Sequence, residues 1–218
     1  MNGILVSDFD GTMTLYDFYD LVCRAFPAIS VPGYWQKYEE GHITHFEALR
    51  VIFATIRTDE PRLLHIVDGM QIDPQLASSV ALLERSGWTT RVASAGCDWY
   101  INYLLQKSGV VLPVYANPGV FSPDNGLMMS LPLKSPYCSP EFGINKMAVV
   151  KDALKQSNRV AFAGDGRPDL APALLVEPRR RFAKHWLAKK LQEIGEPYQP
   201  FETWSDVANA LAKEPALC

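Results

Sequence analysis

The sequence predicts an α/β fold, in which a Rossmann-like, mostly parallel sheet forms the core and carries an inserted α-helical cap. Short apolar runs end in polar, glycine-containing turns at three separate places in the chain. Helix-like segments alternate with these runs, and such alternation is typical of a parallel sheet with helices on both faces. After the first run lies a long segment in which apolar residues recur at helical spacing.

The first predicted strand ends in two aspartates. Residues 4–6 form the apolar run, and it leads into Asp-Phe-Asp-Gly-Thr at residues 8–12. Residues two apart on a strand point to the same side, so Asp8 and Asp10 face one point. Two carboxylates this close repel unless a cation lies between them, which indicates a hard divalent metal such as Mg²⁺. A strand followed by an ordinary Asp-Gly turn is the alternative.

The segment at residues 14–86 is predicted to form the helical cap. Thr44, with Glu47 three residues later, predicts a capping box at the start of one of its helices. An insertion of this length is in the range of small domains. We therefore expect a catalytic core made of residues 1–13 and 87–218, with the cap inserted between the two parts.

A second strand is predicted at residues 89–93. It leads into the small residues Ser94, Ala95 and Gly96, after which a helix begins. A strand, a small-residue turn and a helix together present a hydroxyl and free N–H groups to an anion. The alternative is that Ser94 is an ordinary N-cap and Gly96 an ordinary turn residue.

Lys146 lies in the first turn of a later predicted helix, after a strand at residues 111–117 and an irregular, hairpin-containing stretch at 118–140. A cation is electrostatically disfavoured near a helix N-terminus. The position therefore suggests that Lys146 faces an anion, and a solvated lysine is the alternative.

The third strand, at residues 159–163, also ends in an acidic, glycine-bearing turn that contains Asp165 and Asp169. In parallel sheets ligands bind beyond the carboxyl ends of strands. We therefore expect the turns that hold Asp8, Ser94 and Asp165 to meet. The remaining pattern predicts, after a short helix, a strand at 174–176, a helix at 182–194, a short strand near 198–201 and a final helix capped by Thr203 or Ser205.

Composition excludes several classes of protein. The chain has 218 residues, of which 48% are hydrophobic, and a formal net charge of −3. This charge does not favour nucleic acid or anionic membranes, and no apolar run is long enough to span a bilayer. The chain starts directly with a strand rather than a secretion signal, so we expect a soluble, cytoplasmic protein. The cysteines are widely spread and are expected to be free thiols: Cys23, Cys97, Cys138 and Cys218.

Two further clusters are assigned no function. The arginines at 179–181, with lysines nearby, are expected to form a solvated face. His42 and His45 are spaced to share a helix face, but no further histidine or cysteine completes a zinc site.

The motifs together resemble those of the haloacid dehalogenase superfamily phosphohydrolases. The resemblance rests on residues 8–12, Ser94, Lys146 and Gly-Asp-Gly-x-x-Asp at residues 164–169, in this order along the whole chain. The helical insertion after the first motif is similar to the cap of the phosphoserine-phosphatase-like branch.

The resemblance implies a Mg²⁺-dependent phosphomonoesterase that acts on a small phosphorylated metabolite. It implies that Asp8 is the nucleophile, which forms an aspartyl-phosphate, and that Asp10 is the general acid and base. The metal-binding set that it implies is Asp8, the Phe9 carbonyl, Asp10, Asp165 and Asp169. The phosphate-binding set that it implies is Thr12, Ser94, Ala95, Gly96 and Lys146.

Candidates for substrate specificity are Asp17, Arg50 and Arg167. Asp17 and Arg50 lie at positions similar to those at which phosphoserine phosphatases grip the amino acid, although Asp17 replaces the usual glutamate. Ordinary helix-surface charge is the alternative for both. Residues 8–17 and 94–100 also resemble the methionine-salvage phosphatases that act on 2-hydroxy-3-keto-5-methylthiopentenyl 1-phosphate. The cysteine-rich stretch of that family is reduced here to Cys138.

Two other functions remain as alternatives. One is a phosphoserine phosphatase, and the other is a non-catalytic protein that has kept a phosphate-binding site. The sequence leaves the oligomeric state open.

Overall fold

A six-stranded parallel sheet forms the centre of the protein in a computed structural model that describes residues 2–29 and 33–214. The strands are β1 (Gly3–Ser7), β2 (Trp88–Cys97), β3 (Val114–Asn117), β4 (Gly119–Ser122), β5 (Gly126–Met129), β6 (Cys138–Ser139), β7 (Gly143–Ile144), β8 (Val160–Gly164), β9 (Arg181–Ala183) and β10 (Gln199–Pro200). The main sheet has the order β10-β9-β8-β1-β2-β3, and all its strand pairs are parallel. The predicted fold class is confirmed.

The helices cover both faces of this sheet. They are α1 (Phe18–Ala25), α2 (Tyr34–Glu39), α3 (His45–Ala54), α4 (Glu60–Asp68), α5 (Leu76–Arg85), α6 (Asp98–Lys107), α7 (Lys146–Gln156), α8 (Leu170–Ala173), α9 (His185–Glu193) and α10 (Trp204–Ala212). The antiparallel pairs β4–β5 and β6–β7 lie outside the main sheet. The hairpin formed by β4 and β5 was expected from the sequence around residue 125.

Strand β1 lies at the middle of the sheet, between β2 and β8. Ile4 pairs with Thr89 of β2 and with Val160 of β8. All five residues of β1 are buried. Leu5 packs into the hydrophobic cluster on one face of the sheet, whereas Ile4 and Val6 pack into the cluster on the opposite face. The apolar run therefore follows from burial on both faces, and it carries Asp8 to the carboxyl edge of the sheet.

Five helices, α1 to α5, separate β1 from β2, as the sequence predicts for the described part of this segment. The capping box of α3 is confirmed, because the Thr44 side chain accepts the N–H of Glu47 and the Glu47 side chain accepts the N–H of Thr44. An isolated antiparallel bridge between Thr14 and Ile72 closes the base of the insertion. The division into core and cap stays a prediction.

The sequence prediction is wrong between residues 174 and 183. The expected strand at 174–176 is a turn after α8, and the strand of this region is β9, which was expected to begin a helix. Arg181 in β9 is buried because its guanidinium donates to the carbonyls of Ala173 and Val176 and pairs with Glu196 at 2.8 Å. An arginine whose charge is paired inside the protein cannot be recognised from the neighbouring sequence, which is why this strand was not predicted.

The expected solvated basic face is wrong for three of its residues, although Arg179 and Lys189 are exposed as expected. Arg180 and Lys184 are buried, like Arg181. Arg180 pairs with Glu214 at 2.9 Å, and the Lys184 ammonium donates to the carbonyl of Glu202 at 3.2 Å. These cations serve internal contacts rather than a solvent-facing surface.

Strand β2 is longer than predicted. It runs through Ser94, Ala95 and Gly96, with a register break between Ala93 and Cys97, so these residues are extended strand rather than a turn. Strand β3 in turn begins only at Val114. The thiols of Cys23, Cys97 and Cys138 are free, and Cys218 lies outside the described residues. No helix in the described ranges is long and apolar enough to cross a membrane.

Asp73 ties the insertion to the last helix. Its buried carboxylate accepts the N–H of Gln75 at 2.8 Å, next to the start of α5, and the N–H of Ser205 at 2.7 Å, in the first turn of α10. Both N–H groups belong to helix starts, where backbone donors lack partners within the helix.

We expect Asp73→Ala to lower the free energy of unfolding by about 2 kcal/mol, because the N–H of Ser205 is left buried without an acceptor. Urea denaturation followed by circular dichroism measures this loss. Asp124→Ala, in the exposed turn between β4 and β5, is the matched control. Equal stability of the two variants would show that the Asp73 link contributes nothing.

Candidate active site

The site begins where β1 ends. The N–H of Asp8 donates to the carbonyl of Ala163 in β8, which fixes the backbone at the edge of the sheet. One oxygen of the Asp8 carboxylate accepts the N–H of Phe9 at 2.7 Å and lies 2.7 Å from the Lys146 ammonium. The second carboxylate oxygen has no hydrogen-bond partner among the described residues. Asp8 is therefore oriented through one oxygen and free at the other.

The Phe9 carbonyl is not available to a metal. It accepts N–H groups from Thr12 at 3.1 Å, Met13 at 2.8 Å and Thr14 at 3.2 Å, so the turn closes around it. The expectation that it binds the cation is wrong for this physical reason. No N–H or O–H in the described ranges donates to the Asp10 carbonyl, so that oxygen is unengaged.

Thr12 also differs from its expected role. Its hydroxyl donates to Asp165 at 3.0 Å and its N–H donates to the Phe9 carbonyl. With both donors engaged, Thr12 holds the first and third motif turns together and has no free group for phosphate. Gly11 has a φ of +65°, and a side chain there would strike the Asp165 carboxylate, which requires glycine.

Asp10 receives only uncharged donors. The Tyr100 hydroxyl donates to one carboxylate oxygen at 2.9 Å, and the Ser94 hydroxyl lies 3.3 Å from the same atom. The N–H of Phe18 donates to the other oxygen at 3.3 Å. Burial raises the pKa of Asp10 to about 6, although the bonds from Tyr100 and Phe18 lower it. Such a group exchanges a proton near neutral pH.

Lys146 is buried, so the alternative of a solvated lysine is excluded. Its ammonium lies 2.7 Å from both Asp8 and Asp169. Burial alone would lower the pKa of Lys146, but the charges of Asp169 and Asp8 outweigh it and raise the pKa above its usual value. The second oxygen of Asp169 accepts the N–H groups of Asp165 and Gly166. Asp169 thus positions Lys146 and the third motif turn.

Three carboxylates have the arrangement of a metal site. Oxygen atoms of Asp8, Asp165 and Asp169 lie within 4.8 Å of one another. Burial, and then the charges of Asp169 and Asp165, raise the pKa of Asp8 well above its usual value. This excess of negative charge fits a divalent cation. The Asp169 oxygens are held by the Lys146 ammonium and two backbone N–H groups, whereas those of Asp165 meet only the Thr12 hydroxyl and, at 3.4 Å, His185. Asp8 and Asp165 are therefore the side chains better placed to hold the cation, with Asp169 as their support.

These groups line one cavity beyond the carboxyl edge of the sheet, where the sequence predicts a ligand site. The core contributes Asp8, Asp10, Ser94, Ala95, Gly96, Tyr100, Lys146, Asp165, Gly166 and Pro168. The helical insertion contributes Asp17, Tyr19, Trp35, His45, Leu49 and Phe53. The three polar turns that the sequence singled out therefore meet.

The specificity candidates are placed differently. Asp17 lines the cavity and caps α1 through the N–H of Tyr19. Burial, and then the charges of Asp10 and Asp165, raise the pKa of Asp17 well above its usual value. Arg50 is exposed on α3 and does not line the cavity. The face of α3 that lines the cavity carries His45, Leu49 and Phe53, which are four residues apart. Arg50 is not on this face, so the expectation that it contacts the substrate is corrected.

Arg167 is likewise outside the cavity. It is exposed and lies 3.5 Å from Glu39 of α2, so it joins the third motif turn to the helical insertion instead of reaching the cavity. The expectation that Arg167 contacts the substrate is corrected for that reason.

Sequence reasoning missed two residues of the cavity. The Tyr100 hydroxyl makes the shortest hydrogen bond to Asp10, yet the sequence motif at 94–100 assigned this residue no role. Its position in the first turn of α6, shortly after Ser94, was the signal that could have identified it. His45 was considered only as part of an incomplete zinc site. His45 is buried beside the cavity by residues distant in sequence, so the sequence around it does not reveal this position.

Comparison with known proteins agrees with this description. No family model matches the chain. The 2-hydroxy-3-keto-5-methylthiopentenyl-1-phosphate phosphatase of Brevibacillus brevis is 24% identical over 215 residues, covering 95% of this chain and 94% of the relative. The phosphatase of the same name from Geobacillus kaustophilus is 24% identical over 220 residues, covering 96% of each chain.

Solved structures share the fold. A HAD family hydrolase from Salmonella enterica serovar Typhi superposes with a TM-score of 0.73 at 18% identity, covering 98% of this chain and 72% of the other. A phosphoserine phosphatase solved with bound substrate superposes with a TM-score of 0.64 at 16% identity, covering 93% and 94%.

The fold is that of the haloacid dehalogenase class of phosphatases, and the site and the named relatives support a phosphatase. Within that class, the chain is similar in sequence, over nearly its whole length, to the 2-hydroxy-3-keto-5-methylthiopentenyl-1-phosphate phosphatases.

Gly96 provides a sharp test of the site. Its N–H donates to the Ser94 hydroxyl, and a methyl group on it would strike the Tyr100 hydroxyl and lie 2.7 Å from the Asp10 carboxylate. We expect Gly96→Ala to lower kcat by roughly 100-fold, because a displacement of about 1 Å at a catalytic group has that effect.

Steady-state phosphate release measures this loss, with a thermal melt to confirm folding. The control is Asp124→Ala, in the exposed turn between β4 and β5, which is not among the residues that line the cavity. Full activity in Gly96→Ala would contradict the placement of Asp10 and Tyr100.

Proposed function

We propose that the protein is a Mg²⁺-dependent phosphomonoesterase that works through a covalent phosphate on Asp8. The observation that carries the proposal is the contrast between two carboxylates in one cavity. Asp8 is paired with the Lys146 ammonium and has one free oxygen, whereas Asp10 is held by uncharged donors, the Tyr100 hydroxyl among them. Environments that differ in this way support separate roles as nucleophile and acid.

In the first step, the free oxygen of Asp8 attacks phosphorus and the bond from phosphorus to the leaving oxygen breaks. Protonated Asp10 gives its proton to that oxygen, so the alcohol leaves neutral. Lys146 would offset negative charge beside Asp8, and the Ser94 hydroxyl, which lies 3.3 Å from Asp10, would turn from it to the phosphoryl group.

In the second step, water attacks the phosphorus of the aspartyl-phosphate. Asp10, now ionised, takes a proton from this water, and the bond from phosphorus to Asp8 breaks. Inorganic phosphate leaves, Asp8 is again a carboxylate, and Asp10 is again protonated. The Tyr100 hydroxyl keeps Asp10 oriented in both steps.

Asp8 and Asp165 would hold the metal, with Asp169 behind them. When bound, a divalent cation offsets the charge between an anionic carboxylate and an anionic phosphate. We favour Mg²⁺ because carboxylate oxygens are the ligands that it prefers.

For the substrate we propose 2-hydroxy-3-keto-5-methylthiopentenyl 1-phosphate or a close analogue. Among the described residues that line the cavity, Lys146 alone is a permanent cation, and Asp8 and Asp169 neutralise it. Arg50 lies outside. The cavity therefore lacks a free cation for the carboxylate of phosphoserine, although Asp17 would suit its ammonium group.

The remaining proposals concern organisation. Residues 14–86 act as a cap that opens for substrate and closes to exclude water, over a core of residues 1–13 and 87–218. The pair of Glu39 and Arg167, and the hydrogen bond from the N–H of Phe46 to the carbonyl of Glu141, support this by joining insertion and core at the cavity. Free thiols in the described part fit a cytoplasmic location.

The test is release of 4-nitrophenol from 4-nitrophenyl phosphate. We expect turnover with Mg²⁺, background rates with EDTA, and a loss of at least about 1,000-fold in Asp8→Asn, since the nucleophile is removed. Asp124→Asn, in an exposed turn, serves as the matched control. Turnover that survives in Asp8→Asn would exclude the covalent route, and a wild type without turnover would support a non-catalytic phosphate-binding protein.

A second measurement separates the two substrates. We expect kcat/KM for 2-hydroxy-3-keto-5-methylthiopentenyl 1-phosphate to exceed that for L-phosphoserine by at least about 100-fold, because the phosphoserine carboxylate would be buried without a cation. The opposite order would establish the phosphoserine phosphatase alternative.

A further inference from the structure

His45 is a buried side chain of the cavity, and its Nδ1 atom has no hydrogen-bond partner among the described residues. His45 begins α3, is 7% exposed, and lines the cavity with Asp8, Asp10 and Lys146. Its Nδ1 atom is fully buried and makes no hydrogen bond. Buried polar groups are nearly always hydrogen-bonded, so an exception requires an explanation.

Aromatic side chains hold the ring of His45 in place. The rings of Trp35, Tyr38 and Phe142 pack around it, with centroids 5.6, 5.1 and 5.6 Å from its own. Packing of this kind fixes the orientation of the imidazole. The ring is therefore held at the cavity wall, and because Nδ1 is fully buried, Nε2 is the nitrogen that could reach a ligand in the cavity.

The ring is also uncharged. Burial lowers the pKa of His45 to about 4, and the charge of Lys146 acts in the same direction, while Asp169 acts weakly against it. A neutral imidazole has one donor and one acceptor nitrogen. It matches a hydroxyl or a carbonyl oxygen, and it supplies no charge to a carboxylate.

We propose that His45 is a specificity-determining residue that hydrogen-bonds a hydroxyl or carbonyl oxygen on the leaving group of the substrate. This inference rests on the proposed phosphatase function and extends it to the class of alcohol released. Leu49 and Phe53 follow His45 at intervals of four residues on the same face of α3 and also line the cavity. The alcohol that leaves is therefore uncharged, carries an oxygen near His45, and is apolar where it contacts Leu49 and Phe53.

The test compares two esters that differ by one hydroxyl group, pentyl phosphate and 2-hydroxypentyl phosphate. We expect the wild type to hydrolyse the hydroxylated ester with a kcat/KM about tenfold higher, the value of one hydrogen bond. His45→Leu abolishes this preference, because the KM for the hydroxylated ester rises more than the KM for pentyl phosphate.

Two further variants complete the test. His45→Gln keeps a donor and an acceptor and restores most of the preference. His65→Leu, which changes an exposed histidine on α4, leaves the preference for the hydroxylated ester intact. A wild type without preference, or a His45→Leu variant that loses activity equally on both esters, overturns the proposal. Absence of turnover on either ester and on 4-nitrophenyl phosphate instead overturns the phosphatase function itself.

Discussion

The site depends on one buried ammonium group shared by two carboxylates. Lys146 lies 2.7 Å from Asp8 and 2.7 Å from Asp169, and all three side chains are buried. Without that charge, the carboxylates of the first and third motif turns would repel one another in a medium that screens them poorly. Asp169 in turn accepts two backbone N–H groups of its own turn, so the lysine also fixes where Asp165 lies.

Much of the fold and the centre of the site could be predicted, because their signals are local. An apolar run followed by Asp8 and Asp10 defines a buried strand and two carboxylates on one side of it. Thr44 and Glu47 define a helix start by spacing alone. The convergence of three turns follows from the rule that parallel strands end at one edge, and it required no knowledge of individual contacts.

The parts that could not be predicted depend on partners distant in sequence. Arg181 is in a strand because carbonyl groups and Glu196 satisfy its charge inside the protein. The Phe9 carbonyl is engaged by the turn that follows it, and Arg50 misses the cavity through the rotational setting of α3. A sequence pattern identifies residue types and spacing, but it does not identify which atoms remain free.

The position of β1 has a consequence for biosynthesis. Strand β1 precedes the other described strands in the chain, yet one of its two neighbours, β8, pairs with it through residues such as Val160. On the ribosome β1 therefore waits with an open edge until most of the chain has emerged. Pairing between segments so far apart slows folding, and the cavity that contains Asp8 and Asp165 is complete only after β8 has been synthesised.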